Sequence, residues 1–161
     1  LGGDDSYTPT SAAGSAGSGG IGIGVFRDVA GNDWHFGWDS LGYTNSVLGY
    51  YRDDAGNDHY RAWFSSGGFS ENGGLALMWD RAGADEYISS SSSTWLWGYD
   101  RGGRAWFVDE TASADVWYAL TSGMAHPLAC NDCTWTAGTT GSGRGNDNRG
   151  GLAYIIAYDT G

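Results

Sequence analysis

The chain has 161 residues, which is enough for one domain with a core of its own. With 29 glycines, 9 tryptophans and 10 tyrosines, its composition excludes a disordered linker and indicates strands joined by tight turns. The net charge of −11, without a single lysine, argues against a nucleic-acid partner, because nucleic acids are bound by basic side chains that neutralise phosphates. No apolar run approaches the roughly 18 residues of a membrane-spanning helix, so no membrane span is expected.

Five short apolar segments end in an aspartate, and each is predicted to be a β-strand. In chain order they read IGIGVFRD, VLGYYRD, LALMWD, RAWFVD and LAYIIAYD, and they end at Asp28, Asp53, Asp80, Asp109 and Asp159. The first four aspartates are separated by 25 to 29 residues. This spacing is typical of a repeat protein, in which each unit stacks on its neighbours.

The first three strands are followed by one motif, D-x-x-G-x-D-x-aromatic. Its second aspartate and its ring are Asp33 and His35, then Asp58 and Tyr60, then Asp85 and Tyr87. The fourth copy, DETASADVWY, is degenerate, as a terminal unit of a repeat often is. The chain opens with LGGDDSY, the same motif without its leading aspartate.

These patterns predict an all-β fold, a β-solenoid-like stack of 25–29-residue units with Gly/Asp turns and aromatic ladders. The chain is interpreted as one repeat domain, with partial units at 1–20 and 152–161, full units at 21–46, 47–74 and 75–103, and a unit with an insertion at 104–151. A β-sandwich of antiparallel hairpins is the alternative. Equivalent positions should form two rows, one large (Phe26, Tyr51, Met78, Phe107) and one small (Gly24, Gly49, Ala76, Ala105).

Repeated aspartates in stacked strands would hold like charges within a few ångströms of one another, which is unfavourable without compensation. Two kinds of compensation remain open and can coexist. The carboxylates can accept hydrogen bonds from turn N–H groups as Asx-turns, or they can bind Ca²⁺, which prefers oxygen ligands. No other cofactor is expected. The candidate residues are Asp5, Asp28, Asp33, Asp53, Asp58, Asp80 and Asp85.

The segments AGNDWH and AGNDHY resemble the G-G-x-G-x-D-x-U-x repeat of calcium-binding RTX β-rolls. Over residues 19–118 the chain is more similar to bacterial secreted or surface repeat proteins with GGxGxLxDxGGxDxY units. This resemblance implies a β-solenoid, an extracellular or cell-surface location and no catalysis. The sequence offers no catalytic constellation either, and an enzyme is therefore not expected.

Three further features bear on an extracellular role. Cys130 and Cys133 are predicted to form a local disulfide, since the two cysteines and His126 are one ligand short of a structural zinc site. The exposed-looking tryptophans could stack on sugars or cover the core. Ser/Thr-rich stretches could carry O-linked glycans, and the candidate residues are Thr8, Thr10, Ser89, Ser90, Ser91, Ser92, Ser93 and Thr94.

The incomplete motifs at the two ends of the sequence lead to a hypothesis on function. We expect an extracellular structural protein, the subunit of a self-assembling surface fibre or array, in which one subunit completes the terminal coil of the next. Its partners would be further copies of itself and covalent glycans. The alternative is a monomeric calcium- or glycan-binding secreted module.

Overall fold

The structure, a computed structural model, describes residues 2–8, 17–64, 67–89, 100–110, 116–119 and 152–157. Within these ranges the chain forms strands and turns and no helix. The strands are β1 (Ser6–Tyr7), β2 (Ile23–Arg27), β3 (Trp34–Trp38), β4 (Leu48–Asp53), β5 (His59–Phe64), β6 (Ser70–Glu71), β7 (Leu75–Asp80), β8 (Glu86–Ser89), β9 (Asp100–Arg101), β10 (Arg104–Asp109), β11 (Val116–Ala119) and β12 (Leu152–Ala157).

The strands form two five-stranded sheets and one small sheet. Sheet A has the order β1-β3-β5-β8-β11, sheet B has the order β12-β10-β7-β4-β2, and β6 pairs with β9 alone. Every pair of described strands is parallel. Strands from β2 to β5 alternate between the two large sheets, so the neighbour of a strand comes from the next repeat unit.

The prediction of a β-solenoid-like stack is wrong, because the two large sheets are open parallel sheets and not a closed solenoid. Each repeat unit has a third side, the segment that leads from a strand of sheet A back to the next strand of sheet B. In the described part of the chain this side contains only the two-residue strands β6 and β9. Elsewhere on that side, turns replace strands, and glycines such as Gly20 and Gly42 have φ values of 47° and 83°, which other residues rarely adopt. The antiparallel sandwich is also wrong, because hairpins would pair consecutive strands with each other.

The two predicted rows are confirmed by the strand register. Phe26 pairs with Tyr51, Tyr51 with Met78, and Met78 with Phe107, and the small row pairs in the same way. The large side chains point between the sheets. Tyr51 of sheet B packs edge-on against Tyr60 of sheet A, with ring centroids 6.1 Å apart. The core is therefore a narrow layer of stacked rings between two parallel sheets.

The turns between β2 and β3, between β4 and β5 and between β7 and β8 stack on one another through glycine. The amide of Gly31 donates to the carbonyl of Ala55 at 3.2 Å, and that of Gly56 donates to the carbonyl of Ala82 at 3.0 Å. A Cβ atom on Gly56 would lie 1.8 Å from the carbonyl oxygen of Gly31. Since the obstacle is backbone, no side-chain rotation can remove the clash.

We predict that Gly56→Ala lowers the free energy of unfolding by at least about 1–3 kcal/mol, the usual cost of overpacking. Gly22→Ala is the matched control, because its Cβ would be 3.3 Å from its nearest neighbour, the carbonyl oxygen of Gly19. Urea denaturation followed by tryptophan fluorescence measures both variants. Equal midpoints for the two variants would contradict the stacked turns.

Candidate functional site

Two rows of aspartates lie in the interior where the chain passes from sheet B to sheet A. The first row follows the strands of sheet B, and Asp53 pairs with Asp80 and Asp80 with Asp109 in the register. The second row immediately precedes the strands of sheet A. Seven members of the two rows are at most 1% exposed. They are Asp28, Asp53, Asp80 and Asp109 in the first row and Asp33, Asp58 and Asp85 in the second.

The predicted aspartates are therefore brought together, with Asp5 at the exposed end of the second row. Many of the hydrogen bonds to these carboxylates differ from simple Asx-turns. Oδ1 of Asp33 accepts from the backbone amide of Asp5 at 2.6 Å, and Oδ1 of Asp58 accepts from that of Asp33 at 2.7 Å. The amide of Asp58 donates in turn to Asp85 at 2.8 Å. The carboxylates of Asp33, Asp58 and Asp85 thus each hold the backbone of the preceding unit.

A row of asparagines, which sequence reasoning did not single out, runs beside the second row. The side-chain oxygen of Asn32 accepts from the backbone amide of Asn57, and that of Asn57 accepts from the amide of Ala84, both at 2.9 Å. The signal was present in the sequence as the repeated AGND. These neutral side chains link the units without adding to the buried charge.

Ring side chains of sheet A face the first row of aspartates. The hydroxyl of Tyr7 donates to Asp28 at 2.5 Å, and that of Tyr87 donates to Asp80 at 2.8 Å. Burial, together with the hydrogen bond to Asp28 and its charge, raises the pKa of Tyr7 far above its usual value of 10.0. Tyr7 therefore stays protonated, and both hydroxyls act as hydrogen-bond donors to the carboxylates.

His35 takes the place of a tyrosine in one unit. It is 1% exposed, and it is the one basic side chain among the buried polar residues of the described ranges. Its ring stacks between Tyr7 and Tyr60, with centroid distances of 4.9 and 5.0 Å. Nε2 lies 3.2 Å from Oδ2 of Asp53, and Nδ1 lies 2.7 Å from the hydroxyl of Tyr51.

Three carboxylates of this interior region, Asp33, Asp58 and Asp80, have raised pKa values. Burial raises the pKa of Asp58 to about 7, and the charge of Asp53 adds to the shift. Burial also raises the pKa of Asp80 well above 3.8, again with a contribution from Asp53. For Asp33, burial raises the pKa although the amide of Asp5 opposes the rise. The site therefore favours any species that neutralises its charge, whether protons or cations.

Three groups of these residues have ligand atoms within 4.8 Å of one another. Two groups are made of carboxylates alone, and they suit the oxygen preference of Ca²⁺. The third contains an imidazole, which suits transition metals better. The groups are Asp5, Asp28 and Asp33; Asp58, Asp80 and Asp85; and Asp33, His35, Asp53 and Asp58.

The other candidate sites are less well placed. Thr8 is exposed, as a glycosylation site requires, and Ser89 ends β8. Trp34, 51% exposed, stacks on His59 on the outer side of sheet A, with ring centroids 4.2 Å apart. The remaining predicted glycosylation sites and the predicted disulfide lie outside the described residues; they are Thr10, Ser90, Ser91, Ser92, Ser93 and Thr94, with Cys130 and Cys133.

Comparisons with known proteins give no relative from which a function could be transferred. No protein-family model matches the chain, and no curated protein or solved structure matches it significantly. In the ranges that the structure describes, no helix has the length and apolar character needed to cross a membrane. The functional argument therefore depends on the geometry of this chain alone.

Proposed function

We propose that the protein is an extracellular structural subunit that assembles head-to-tail with further copies of itself into a fibre or array. The observation that carries the proposal is the outer edge of β2, which is apolar, and along which no described strand lies. An open strand edge is a template for pairing with another chain. The proposal assigns the protein a structural role and no catalysis.

The direction of the backbone groups in β2 supports this proposal. The amide of Asp28 donates to the carbonyl of Arg52 at 2.9 Å, and the carbonyl of Gly22 accepts from the amide of Leu48 at 3.1 Å. The backbone N–H and C=O groups of the even-numbered residues therefore point towards β4. In a parallel sheet both backbone groups of a residue point to the same side, and the side alternates along the strand. Ile23, Val25 and Arg27 therefore direct their N–H and C=O groups to the outer edge.

The apolar side chains of β2 also favour a further strand. Ile23 is 71% exposed and Val25 is 65% exposed. Leu48 and Tyr50, their register partners in β4, are only partly exposed because they have neighbours on both sides. A strand added beside β2 would shield the two β2 side chains in the same way, which is favourable by about 25 cal/mol for each Å² of apolar surface removed from water.

The occupant that fits this edge best is the opposite edge of sheet B in a second copy. All five strands of the sheet are parallel and in register. Leu152 of β12 has the register position that Arg104, Leu75, Leu48 and Ile23 have in the other strands. β12 of one copy beside β2 of the next would continue the sheet. Such a contact is heterologous and produces an open filament unless it closes on itself.

The variant Val25→Pro should block assembly without breaking a hydrogen bond inside the subunit. Proline removes the N–H that points to the outer edge, and it is tolerated in edge strands. We expect fibres of the parent protein in negative stain and a shift of the variant to a monomer in sedimentation velocity. The control Val25→Ser keeps the N–H and loses only the apolar side chain, so we expect weaker assembly rather than none. A parent protein that sediments as a monomer at all concentrations would disprove the proposal.

Calcium binding is a second candidate function, favoured by one observation. Oδ1 of Asp80 and Oδ2 of Asp33 are buried without a hydrogen-bond partner, and each belongs to one of the all-carboxylate groups. A bound Ca²⁺ would supply the missing partner and offset the repulsion between the rows. Refolding from urea with Ca²⁺, with Zn²⁺ or with a chelator tests which ion the protein binds.

A further inference from the structure

His35 interrupts a row of tyrosines, Tyr7, Tyr60 and Tyr87, whose hydroxyls donate to aspartate carboxylates. Tyr7 and Tyr60 lie on either side of its ring, at nearly equal distances. A tyrosine at this position would present a hydroxyl to the first aspartate row, as Tyr7 and Tyr87 do. The imidazole presents a ring nitrogen instead, and a ring nitrogen can bind a metal ion.

The two ring nitrogens of His35 have different surroundings. Nδ1 lies 2.7 Å from the hydroxyl of Tyr51. Nε2 is buried and has no hydrogen-bond partner; Oδ2 of Asp53 is 3.2 Å away but without the geometry of a hydrogen bond. If Nδ1 carries the proton and donates it to Tyr51, the lone pair of Nε2 is directed at the carboxylates. Metal-binding histidines typically have this arrangement, with the second nitrogen donating to a neighbouring group.

Three carboxylates lie close to the imidazole, and one of them, Asp53, is 3.2 Å from Nε2. Asp33, Asp53 and Asp58 each bring an oxygen within 4.8 Å of the others and of the imidazole. Oδ2 of Asp33 and Oδ2 of Asp53 are buried without a hydrogen-bond partner. Buried oxygens without a hydrogen bond cost free energy, and a cation would supply the interaction that they lack.

We propose that Asp33, His35, Asp53 and Asp58 form a binding site for one divalent transition-metal ion, with Zn²⁺ as the preferred ion. The site offers four ligands, the number that Zn²⁺ takes in structural sites, and both imidazole nitrogen and carboxylate oxygen are groups that bind Zn²⁺. Ca²⁺ takes six to eight oxygens and is disfavoured by the imidazole. The three carboxylates bring three negative charges, of which the ion neutralises two.

The position of the four ligands gives the ion a structural role. Asp33 and His35 belong to one turn and to the start of β3, whereas Asp53 ends β4 and Asp58 lies in the following turn. An ion held by all four would link sheet A to sheet B and one repeat unit to the next. Because a buried site has to form as the chain folds, metal binding should couple to folding.

The experiment is refolding from urea in the presence of Zn²⁺ or Ca²⁺ or a chelator, followed by native mass spectrometry and titration calorimetry. We expect one tightly bound Zn²⁺ per chain and a higher unfolding midpoint with Zn²⁺ than with chelator. His35→Tyr should weaken Zn²⁺ binding by more than about 100-fold, beyond the 10–100-fold range of outer-shell changes. This variant places in the row the residue that the flanking units already carry, and circular dichroism verifies that it folds.

Two further variants complete the test. Tyr51→Phe removes only the partner of Nδ1, so we expect a loss of about 10–100-fold in Zn²⁺ affinity. His59→Gln removes the half-exposed histidine paired with Glu86, and it should leave the affinity unchanged. The proposal is overturned if no Zn²⁺ binds, if His35→Tyr binds it as the parent does, or if Ca²⁺ binds the parent more tightly than Zn²⁺ at this site.

Discussion

Replacing Tyr60 with alanine should lower the free energy of unfolding by about 3–5 kcal/mol, the range for large buried aromatic residues. Tyr60 is fully buried, and its ring stacks on His35 and on Tyr87 at centroid distances of 5.0 and 5.1 Å. It also packs edge-on against Tyr51 of the opposite sheet. Alanine would leave a cavity that interrupts both the row within sheet A and the contact between the sheets.

The control for this prediction is Tyr60→Phe, which keeps the ring. The hydroxyl of Tyr60 hydrogen-bonds to the buried Asp80 and reaches Asp58 at 3.5 Å, so its loss should cost about 1–3 kcal/mol, less than the loss of the whole ring. Urea denaturation of parent, Tyr60→Phe and Tyr60→Ala in the same buffer gives the three values. If alanine costs no more than phenylalanine, the stacked rings do not contribute the stability assigned to them.

The metal-free protein should become less stable as the pH rises from about 4 to about 7. Burial and the charge of Asp53 raise the pKa values of Asp58 and Asp80. The folded state therefore binds more protons than the unfolded state between the usual pKa of 3.8 and the raised values, and its stability falls as these protons leave. Every tenfold reduction of the acid dissociation constant costs the folded state about 1.4 kcal/mol once the group is ionised.

Urea midpoints measured across this pH range in the presence of a chelator test the prediction, and Asp58→Asn should flatten the profile. The contribution of Asp54 to stability should change with pH in the opposite direction. Although burial opposes the change, hydrogen bonds from Arg27, Arg52 and Arg81 lower the pKa of Asp54, so its contribution is lost only at acidic pH. A chelated protein whose stability rises steadily from about pH 4 to 7 would contradict the prediction. Bound Zn²⁺ or Ca²⁺ should reverse the slope, because both ions require ionised carboxylates.

Much of the local structure could be predicted from the repeat in the sequence. The spacing of Asp28, Asp53, Asp80 and Asp109 was enough to align the strands, and the row from Phe26 to Phe107 followed from that alignment. These features are predictable because strand register is fixed by which side chains must point into the core. The repeat also indicated that the aspartates form rows.

The sheet arrangement and the details of the site could not be predicted in the same way. The motif marks the two strands that each unit contributes to sheets B and A, but the segment that leads back to sheet B does not repeat in sequence. In the described residues this segment forms only the short strands β6 and β9. The pairing of His35 with Asp53 depends on how sheets A and B face each other. That contact joins residues of different units, and no local pattern encodes it.

The hydrogen bonds of the second aspartate row all have the same sense along the chain. In each of them a backbone amide donates to the carboxylate of the following unit, from Asp5 to Asp33, from Asp33 to Asp58 and from Asp58 to Asp85. The row is therefore polar, with a donor side and an acceptor side. A two-fold symmetric pair would place like sides against each other, whereas a filament that continues the row has two unlike ends. Such a filament should elongate at different rates at its two ends.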